Sequence, residues 1–261
     1  MIQNTFYFKE SSNLLNELFH PKWLTNLIYG FEILTVILII SLSLPQLFKL
    51  LKDKKTGEIN FVSFWIFHFG ILFWVLYAAT FRGNLINVII ADGIGVFVNG
   101  IMTYLLYYYK DDFNKSTKNK ALILVIFTWV MNIALIAIYI INQTKDNTLT
   151  VSPQFSLVVS LIGPSFTTLA FTPQLIKSFK TKQWQGVSYW MFVLYVVNNI
   201  VWIIWWILKI YDDKTYGAGD QFVGLIGGLI WQIISLLIFS VQLGFTLYDR
   251  HLIKHNKKVI K

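Results

Sequence analysis

Two adjacent asparagines in the middle of a long apolar segment are the first candidates for binding chemistry. Asn198 and Asn199 interrupt residues 183–208, a run without any charged side chain. A buried amide costs free energy unless a polar solute or a neighbouring helix satisfies it. Helical spacing places Tyr195, an amide and Trp202 on one face, which suits a flat or ring-shaped polar solute that stacks and hydrogen-bonds. The alternative is a structural role, in which the amide bonds across to another helix.

Three further side chains within apolar segments extend this candidate site, namely Trp74, Asn99 and Gln232. Trp74 adds an aromatic ring, and Asn99 and Gln232 add side-chain amides. The predicted substrate-binding set is therefore Asn198, Asn199, Trp202, Tyr195, Trp74, Asn99 and Gln232.

Three ionisable side chains also lie within apolar segments and are candidates for proton coupling. Each charged acid at a bilayer centre costs about 2.5–3.5 kcal/mol on insertion scales, so its presence suggests a function. Asp92 is the deepest acid and the first candidate for a coupling proton. Glu32 lies about two turns into its segment, within reach of the headgroups. His68 is a lone histidine on a Phe-rich segment, where a packing role is favoured over proton transfer.

The sequence contains none of the patterns expected of an enzyme or an ATPase. It has no cysteine, and we find no glycine-rich phosphate loop, no metal-ligand spacing and no Ser/His/Asp set. We therefore expect no catalytic residue, no metal and no cofactor. The net charge of +9 is better explained by basic loops on one side of a membrane than by nucleic-acid binding.

The composition predicts helices that cross a membrane. Hydrophobic residues make up 56% of the chain and charged residues only 13%, against about 25% in ordinary soluble domains. Uncharged runs such as 121–144, 151–176 and 221–248 exceed the roughly 20 residues that cross a hydrocarbon core. Helices are expected because they satisfy the backbone polar groups within each segment. The predicted spans are 24–51, 59–81, 85–109, 121–143, 151–179, 187–209 and 219–248.

An internal repeat organises these spans. Residues 44–77 align without a gap with residues 172–205 at an offset of 128 positions, which pairs Trp74 with Trp202. The same offset, continued along the chain, pairs Asp92 with Asp220. Such self-similarity indicates a repeated structural unit. The predicted architecture is two parallel three-helix bundles joined by a linker helix, which makes both copies face the same way. The predicted divisions are 1–23 (extracytoplasmic segment), 24–110 (first repeat), 111–145 (linker and fourth span), 146–248 (second repeat) and 249–261 (basic tail).

Lysines and arginines alternate along the chain in a way that predicts its orientation. The loops after spans 1, 3 and 5 and the C-terminal tail carry sixteen of them, against six in the N-terminal segment and the other loops. Basic residues favour the cytoplasmic side, so the N-terminus is expected outside and the C-terminus in the cytoplasm. Residues 13–19 are interpreted either as a short interfacial helix or as a frayed tail.

Each repeat contains a Pro-Gln pair at the end of an apolar run, just before a basic loop. Proline removes a backbone donor and clashes with the preceding turn, so Pro45 with Gln46 and Pro173 with Gln174 are predicted hinges. The alternative is that each proline only terminates its helix.

With these pairs, and with Gly186, Val187 and Ser188 before the aromatic sixth span, the chain resembles the PQ-loop repeat family. That superfamily includes SWEET sugar transporters, cystinosin, lysosomal cationic amino-acid exporters and the KDEL receptor. The first copy departs from the pattern, since Gly57 is displaced by one position and Asn60 replaces the serine. The resemblance implies two rocking three-helix bundles that give alternating access.

The predicted function is therefore a plasma-membrane transporter for a small polar solute such as a sugar, an amino acid or a vitamin. Facilitated or weakly proton-coupled transport is expected, because residues 183–208 and 221–248 contain no acid. Two alternatives stay open: a non-transporting receptor or scaffold, and a vitamin or nucleoside-precursor channel. A homodimer in the bilayer is also compatible with the sequence.

Overall fold

The computed structural model describes residues 20–56, 61–145, 148–170, 172–173, 176, 180, 189–217 and 219–254. These residues contain no strand and include seven helices with described bounds; residues 172, 173, 176 and 180 are also helical. The helices are α1 (Lys22–Asp53), α2 (Phe61–Thr80), α3 (Ile86–Tyr108), α4 (Lys115–Thr144), α5 (Pro153–Leu169), α6 (Tyr189–Thr215) and α7 (Phe222–Lys254). Six of them, all except α5, are long and apolar enough to cross a membrane. The chain is thus an all-helical multi-pass membrane protein over its described part.

Local sequence signals account for where several of these helices begin and end. The Asn114 side chain accepts a hydrogen bond from the Thr117 amide at 2.9 Å and caps α4. Ser152 caps α5 in the same way, with Pro153 at the first helical position. α1 ends where Lys54 adopts a left-handed conformation with φ 49° and donates its amide to the Leu50 carbonyl.

Three helices extend six residues beyond their predicted spans. α4 begins at Lys115 rather than at residue 121. α6 continues past the predicted residue 209 to Thr215, and α7 begins at Phe222 and continues to Lys254. The apolar pattern marks the membrane-embedded part of a helix, whereas the helical backbone continues into polar residues beyond it. The predicted interfacial helix 13–19 and most of the predicted fifth span after residue 170 lie outside the described residues.

The first three helices and the last three helices show the same pattern of packing, in which the third helix contacts the other two. α3 packs against both α1 and α2, and α7 packs against both α5 and α6. The two groups meet through α1 against α6 and through α2 against α5. α4 packs against α2 and α3.

Hydrogen bonds from α4 attach it to the first group of helices. Asn132 donates to the Gly93 carbonyl at 3.1 Å, and Asn142 donates to the Ala79 carbonyl at 2.8 Å. Because lipid offers no competing polar partner, amide bonds of this kind stabilise contacts between membrane helices.

The bundle has two distinguishable ends. At one, which we call the Arg82 end, α1, α3, α5 and α7 begin and α2, α4 and α6 terminate. Contacts there link the two groups of helices: His20 Nε2 lies 2.6 Å from an Asp212 carboxylate oxygen, and Arg82 lies 3.8 Å from Asp220. At the opposite end, the Lys110 end, Thr56 donates its amide to the Tyr109 carbonyl at 3.3 Å.

The predicted hinge prolines lie in helical backbone. α1 continues for more than two turns past Pro45 to Asp53, so this proline does not terminate its helix. Pro173 is helical and exposed, whereas Gln174 and residues 186–188 lie outside the described part. A further proline, Pro164, lies inside α5, and the sequence analysis did not single it out.

Candidate functional site

A cavity of about 90 Å³ lies in the middle of the bundle, between the two groups of helices. Its lining comes from α1, α2, α3, α5, α6 and α7, and no residue of α4 contributes. The residues that line it are Ile39, Leu42, Phe67, Ile71, Trp74, Asp92, Gly95, Thr167, Thr168, Tyr195, Asn198, Asn199, Trp231, Gln232, Ser235 and Phe239.

The two asparagines of α6 lie at this cavity with Tyr195, one turn earlier on the same face. Asn199 donates its amide group to the Tyr195 carbonyl at 2.7 Å, a bond that orients the side chain. Asn198 is 4% exposed, and its side-chain oxygen has no hydrogen-bond partner among the described residues. A buried acceptor without a partner is an obvious point of attachment for a polar ligand.

Helix α7 forms the aromatic and polar side of the cavity next to α6. The Phe239 ring stacks on Tyr195 with centroids 4.2 Å apart and planes 9° from parallel. Trp231 donates its indole N–H to the Leu161 carbonyl of α5 at 2.6 Å, which fixes its ring in place. Gln232, predicted from the sequence, lines the cavity beside Trp231 and Ser235.

Across the cavity, α2 contributes Trp74. Its indole N–H donates to the Thr167 hydroxyl of α5 at 3.2 Å. Thr167 in turn donates to the Pro164 carbonyl at 2.8 Å, so the threonine connects the tryptophan to the proline-containing turn of α5.

The acidic member of the cavity is Asp92 of α3. It is 7% exposed and lines the cavity, where no lysine, arginine or histidine is among the lining residues. Its repeat equivalent, Asp220, lies instead before the start of α7 and pairs with Arg82 at the surface. Of the predicted proton-coupling residues, Asp92 is the one that the structure places at the cavity.

An aromatic layer separates the cavity from the Arg82 end. Trp206 is fully buried and lies between Trp74, at a centroid distance of 6.3 Å, and Trp202, at 6.1 Å. Trp205 packs edge-on against Trp206 at 4.6 Å. Beyond this layer, the Tyr77 hydroxyl donates to the Gly224 carbonyl at 2.8 Å.

Trp202 and Asn99, both predicted to bind substrate, are not among the residues that line the cavity. Trp202 is 3% exposed and belongs to the aromatic layer, because it lies a full turn further along α6 than Asn198. Asn99 is fully buried on α3, and its oxygen accepts a hydrogen bond from the Thr103 hydroxyl at 3.1 Å.

Glu32 and His68 also lie away from the cavity. His68 is fully buried with its Nε2 atom 2.8 Å from the Thr128 hydroxyl of α4. Since that hydroxyl already donates to the Val125 carbonyl, it accepts from His68, and Nε2 carries the proton. Glu32, on α1, interacts electrostatically with the Lys209 ammonium group of α6.

Several lining residues were not identified from the sequence, namely Thr167, Thr168, Trp231, Ser235, Phe67, Ile71, Ile39, Leu42, Gly95 and Phe239. The repeat offset contained a usable signal. Adding 128 to Ile39, Phe67 and Ile71 gives Thr167, Tyr195 and Asn199, and all six positions line the cavity.

The site thus offers hydrogen-bond acceptors, aromatic faces and one carboxylate in a small, partly open space. Such a pocket suits reversible binding of a small polar molecule.

Comparison with known proteins identifies the family of the chain. A sequence model of the family described as PQ loop repeat matches residues 155–215. A curated relative, the sugar transporter SemiSWEET of Escherichia coli (strain UMEA 3162-1), is 36% identical over 94 residues. That alignment covers 90% of the relative and 36% of this chain. Because nearly the whole relative is matched at this identity, the resemblance inferred from the Pro-Gln pairs is confirmed, and the chain belongs to the PQ-loop repeat family.

Proposed function

We propose that this protein is a membrane transporter that moves a small polar solute of the sugar type through the central cavity by alternating access. The observation that supports it best is the cavity itself, which lies in the middle of the bundle and is lined by α1–α3 and α5–α7 together. A solute there is within reach of either end if the two groups of helices tilt relative to each other. The family relative is named as a sugar transporter, which favours the same solute class here.

The architecture that we propose is two parallel three-helix units, α1–α3 and α5–α7, with α4 as the linker. The matching contact order within the two groups supports it, as does the symmetric pairing of α1 with α6 and α2 with α5. The SemiSWEET relative also supports it, since a stretch of 94 residues, about the length of one unit, accounts for nearly that whole protein. Parallel repeats with the site between them are a known plan for transporters.

Within the cavity we assign solute binding to Asn198, Asn199, Tyr195, Gln232 and Trp74. The amides and the tyrosine hydroxyl supply polar contacts, and the aromatic faces supply stacking. We assign indirect roles to Trp202 and Asn99, which do not line the cavity. Trp202 positions Trp206, and Asn99 positions α3. The cavity of about 90 Å³ limits the size of the solute, so we propose a molecule no larger than a monosaccharide.

The described conformation is closed at the Arg82 end in this proposal. The aromatic layer around Trp206, the Tyr77–Gly224 hydrogen bond and the Arg82–Asp220 pair all lie between the cavity and that end. We assign the Arg82 end to the outside and the Lys110 end to the cytoplasm, from the distribution of basic residues. Pro45 and Pro173, with Gln46 and Gln174, are the proposed hinges on the cytoplasmic side.

The test is uptake of labelled glucose into proteoliposomes that contain the purified protein. We expect saturable uptake, and we expect the double substitution Asn198→Ala with Asn199→Ala to lower its initial rate more than tenfold. Loss of two amide contacts of about 1 kcal/mol each corresponds to a change of that size. Asn26→Ala, at an exposed asparagine of α1, is the matched control and should leave uptake unchanged.

The melting temperature of the double variant in detergent is measured alongside, to show that the protein is folded. Absence of saturable flux for glucose, a neutral amino acid and a vitamin alike would contradict the proposal. Equal flux in the wild type and the folded double variant would contradict the assigned site.

A further inference from the structure

We propose that the central cavity binds an organic cation, with the Asp92 carboxylate as its counter-ion. This deepens the proposed function, because it assumes that the cavity is the solute site and adds the charge of the solute.

Asp92 is an acid without a counter-charge. It is nine-tenths buried, it lines the cavity, and the structure gives it no hydrogen bond or ion pair among the described residues. The repeat-equivalent Asp220 shows the contrast, since it is half-exposed and lies 3.8 Å from Arg82. A buried carboxylate without a partner is costly, and a cation in the cavity offsets that cost.

The rest of the lining supplies no positive charge. The lining residues include no lysine, arginine or histidine. The half-buried Lys209 of α6 acts on Glu32, a residue outside the cavity, and His68 interacts with Thr128 of α4. Asp92 is thus the one acid among the described residues that line the cavity, and its ionised form gives the cavity a negative charge that a bound cation neutralises.

The remaining lining groups also favour a cation that donates hydrogen bonds. The Asn198 oxygen is a buried acceptor without a partner, and an ammonium group has donors and no acceptor. Aromatic side chains that line the same space attract cations through the negative faces of their rings. These are Phe67, Trp74, Tyr195, Trp231 and Phe239.

A neutral sugar uses the amides and the aromatic faces equally well, but it leaves the carboxylate without a counter-charge. A protonated amino sugar uses all three, and choline does so through its quaternary nitrogen and the donor of its hydroxyl group. The volume of about 90 Å³ suits a compact cation of this kind.

The experiment compares two pairs of probes of matched shape and different charge on the purified full-length protein, by isothermal titration calorimetry in detergent. The first pair is choline and its uncharged isostere dimethylbutanol. The second pair is glucosamine, at a pH where its amine is protonated, and glucose. Choline carries a permanent charge, so its binding does not depend on protonation of the ligand. We expect each cation to bind at least tenfold more tightly than its neutral counterpart.

Two substitutions assign the preference to Asp92. Asp92→Asn should reduce it to near parity for both pairs, and Asp92→Glu should keep it. Asp220→Asn, the same change at the repeat-equivalent surface acid, should leave the preference at its wild-type value.

Equal binding of charged and neutral probes by the wild type, or no binding of any probe, would overturn the proposal, and neither result requires a variant. A preference that survives in folded Asp92→Asn would also overturn it, as would enhanced binding of neutral probes alone. Cation binding that depends on Asp92 without any flux in proteoliposomes would support this inference and count against the transport function. Flux of glucose without any cation preference would support the transport function and contradict this inference.

Discussion

The two contacts between the helix groups, α2 against α5 and α1 against α6, occupy equivalent places in the repeat but pack differently. In the first, glycines allow close approach. A Cβ atom at Gly70 would lie 2.6 Å from the Thr167 methyl group, and one at Gly163 would lie 2.5 Å from the Phe73 Cβ. In the second, the repeat-equivalent positions are Asn198 and Thr35. One contact is therefore closed by backbone proximity, and the other has room for polar side chains.

This difference shows how a duplicated unit becomes an asymmetric site. In the proposed architecture, the two units share the same helix frame, and residues of both line one cavity. Substitutions at equivalent positions decide what each copy adds. The first group contributes Asp92 and Trp74, whereas the second contributes the amides of Asn198 and Asn199. We expect the α2–α5 contact to be the more rigid of the two, since tight glycine packing leaves little room for movement.

The largest effect is expected when the tight contact is broken. Gly70→Ala places a methyl group against the Thr167 side chain and its backbone nitrogen, which cannot both withdraw. Overpacking of this kind costs about 1–3 kcal/mol, and a clash with backbone belongs at the upper end. We expect a clear drop in melting temperature in detergent.

Gly30→Ala is the matched control, because a Cβ there meets nothing within 4 Å. It should be neutral or stabilising by up to about 1 kcal/mol, since alanine favours helix more than glycine does. If Gly70→Ala melts with the wild type, the α2–α5 contact is not as tight as described.

A smaller effect separates the repeat-equivalent tryptophans. Trp74 lines the cavity and bonds to Thr167, whereas Trp202 belongs to the aromatic layer. Trp74→Phe should weaken glucose binding several-fold, because it loses one hydrogen bond of about 1 kcal/mol and part of the stacking surface. Trp202→Phe should leave the half-saturating concentration within about twofold, at roughly 0.4 kcal/mol for that factor. Uptake in proteoliposomes measures both; equal losses would place the two rings in the same role.

The smallest effect is expected at the surface pair. Arg82 and Asp220 are 59% and 46% exposed at the side chain and lie 3.8 Å apart. Exposed pairs contribute about 0–1 kcal/mol and weaken with salt. Arg82→Gln and Asp220→Asn should each shift the melting temperature slightly at low salt, and the shift should vanish in about 1 M salt, where the Debye length is about 3 Å. A large shift that persists in high salt would show that this pair stabilises the closed end and is not an ordinary exposed ion pair.

Much of the candidate site was accessible from the sequence because polar residues in apolar segments are rare. Asn198, Asn199 and Gln232 stand out on that ground, as does Asp92, and all four line the cavity. Helical periodicity also predicted Tyr195 on their face, and this residue lines the cavity with them. The same helical spacing also predicted Trp202 as part of the site. Spacing shows which residues share a face of a helix, but it does not show how far along that face the cavity extends.

Other parts of the site lacked a distinctive sequence signal. Thr167 and Ser235 are of residue types that occur often in membrane helices, where their hydroxyl groups bond to the backbone of their own helix. Trp231 is one of ten tryptophans in the chain. Asn99 met the criterion of a buried amide, yet its partner is Thr103 on the same helix. Whether a buried amide binds a solute or bonds to another side chain depends on which residues pack around it.

The amino-acid sequence alone determined that the chain crosses a membrane as helices, that its unit is repeated, and which side chains cost free energy to bury. These are properties of composition and period, and they need no knowledge of which helices meet. Tertiary packing decided that Asp92 lies in the cavity while Asp220 pairs at the surface, and that Trp206 closes the cavity on one side. The reason is that burial of a polar group is a property of its neighbours, and in this bundle the neighbours come from helices distant in the chain.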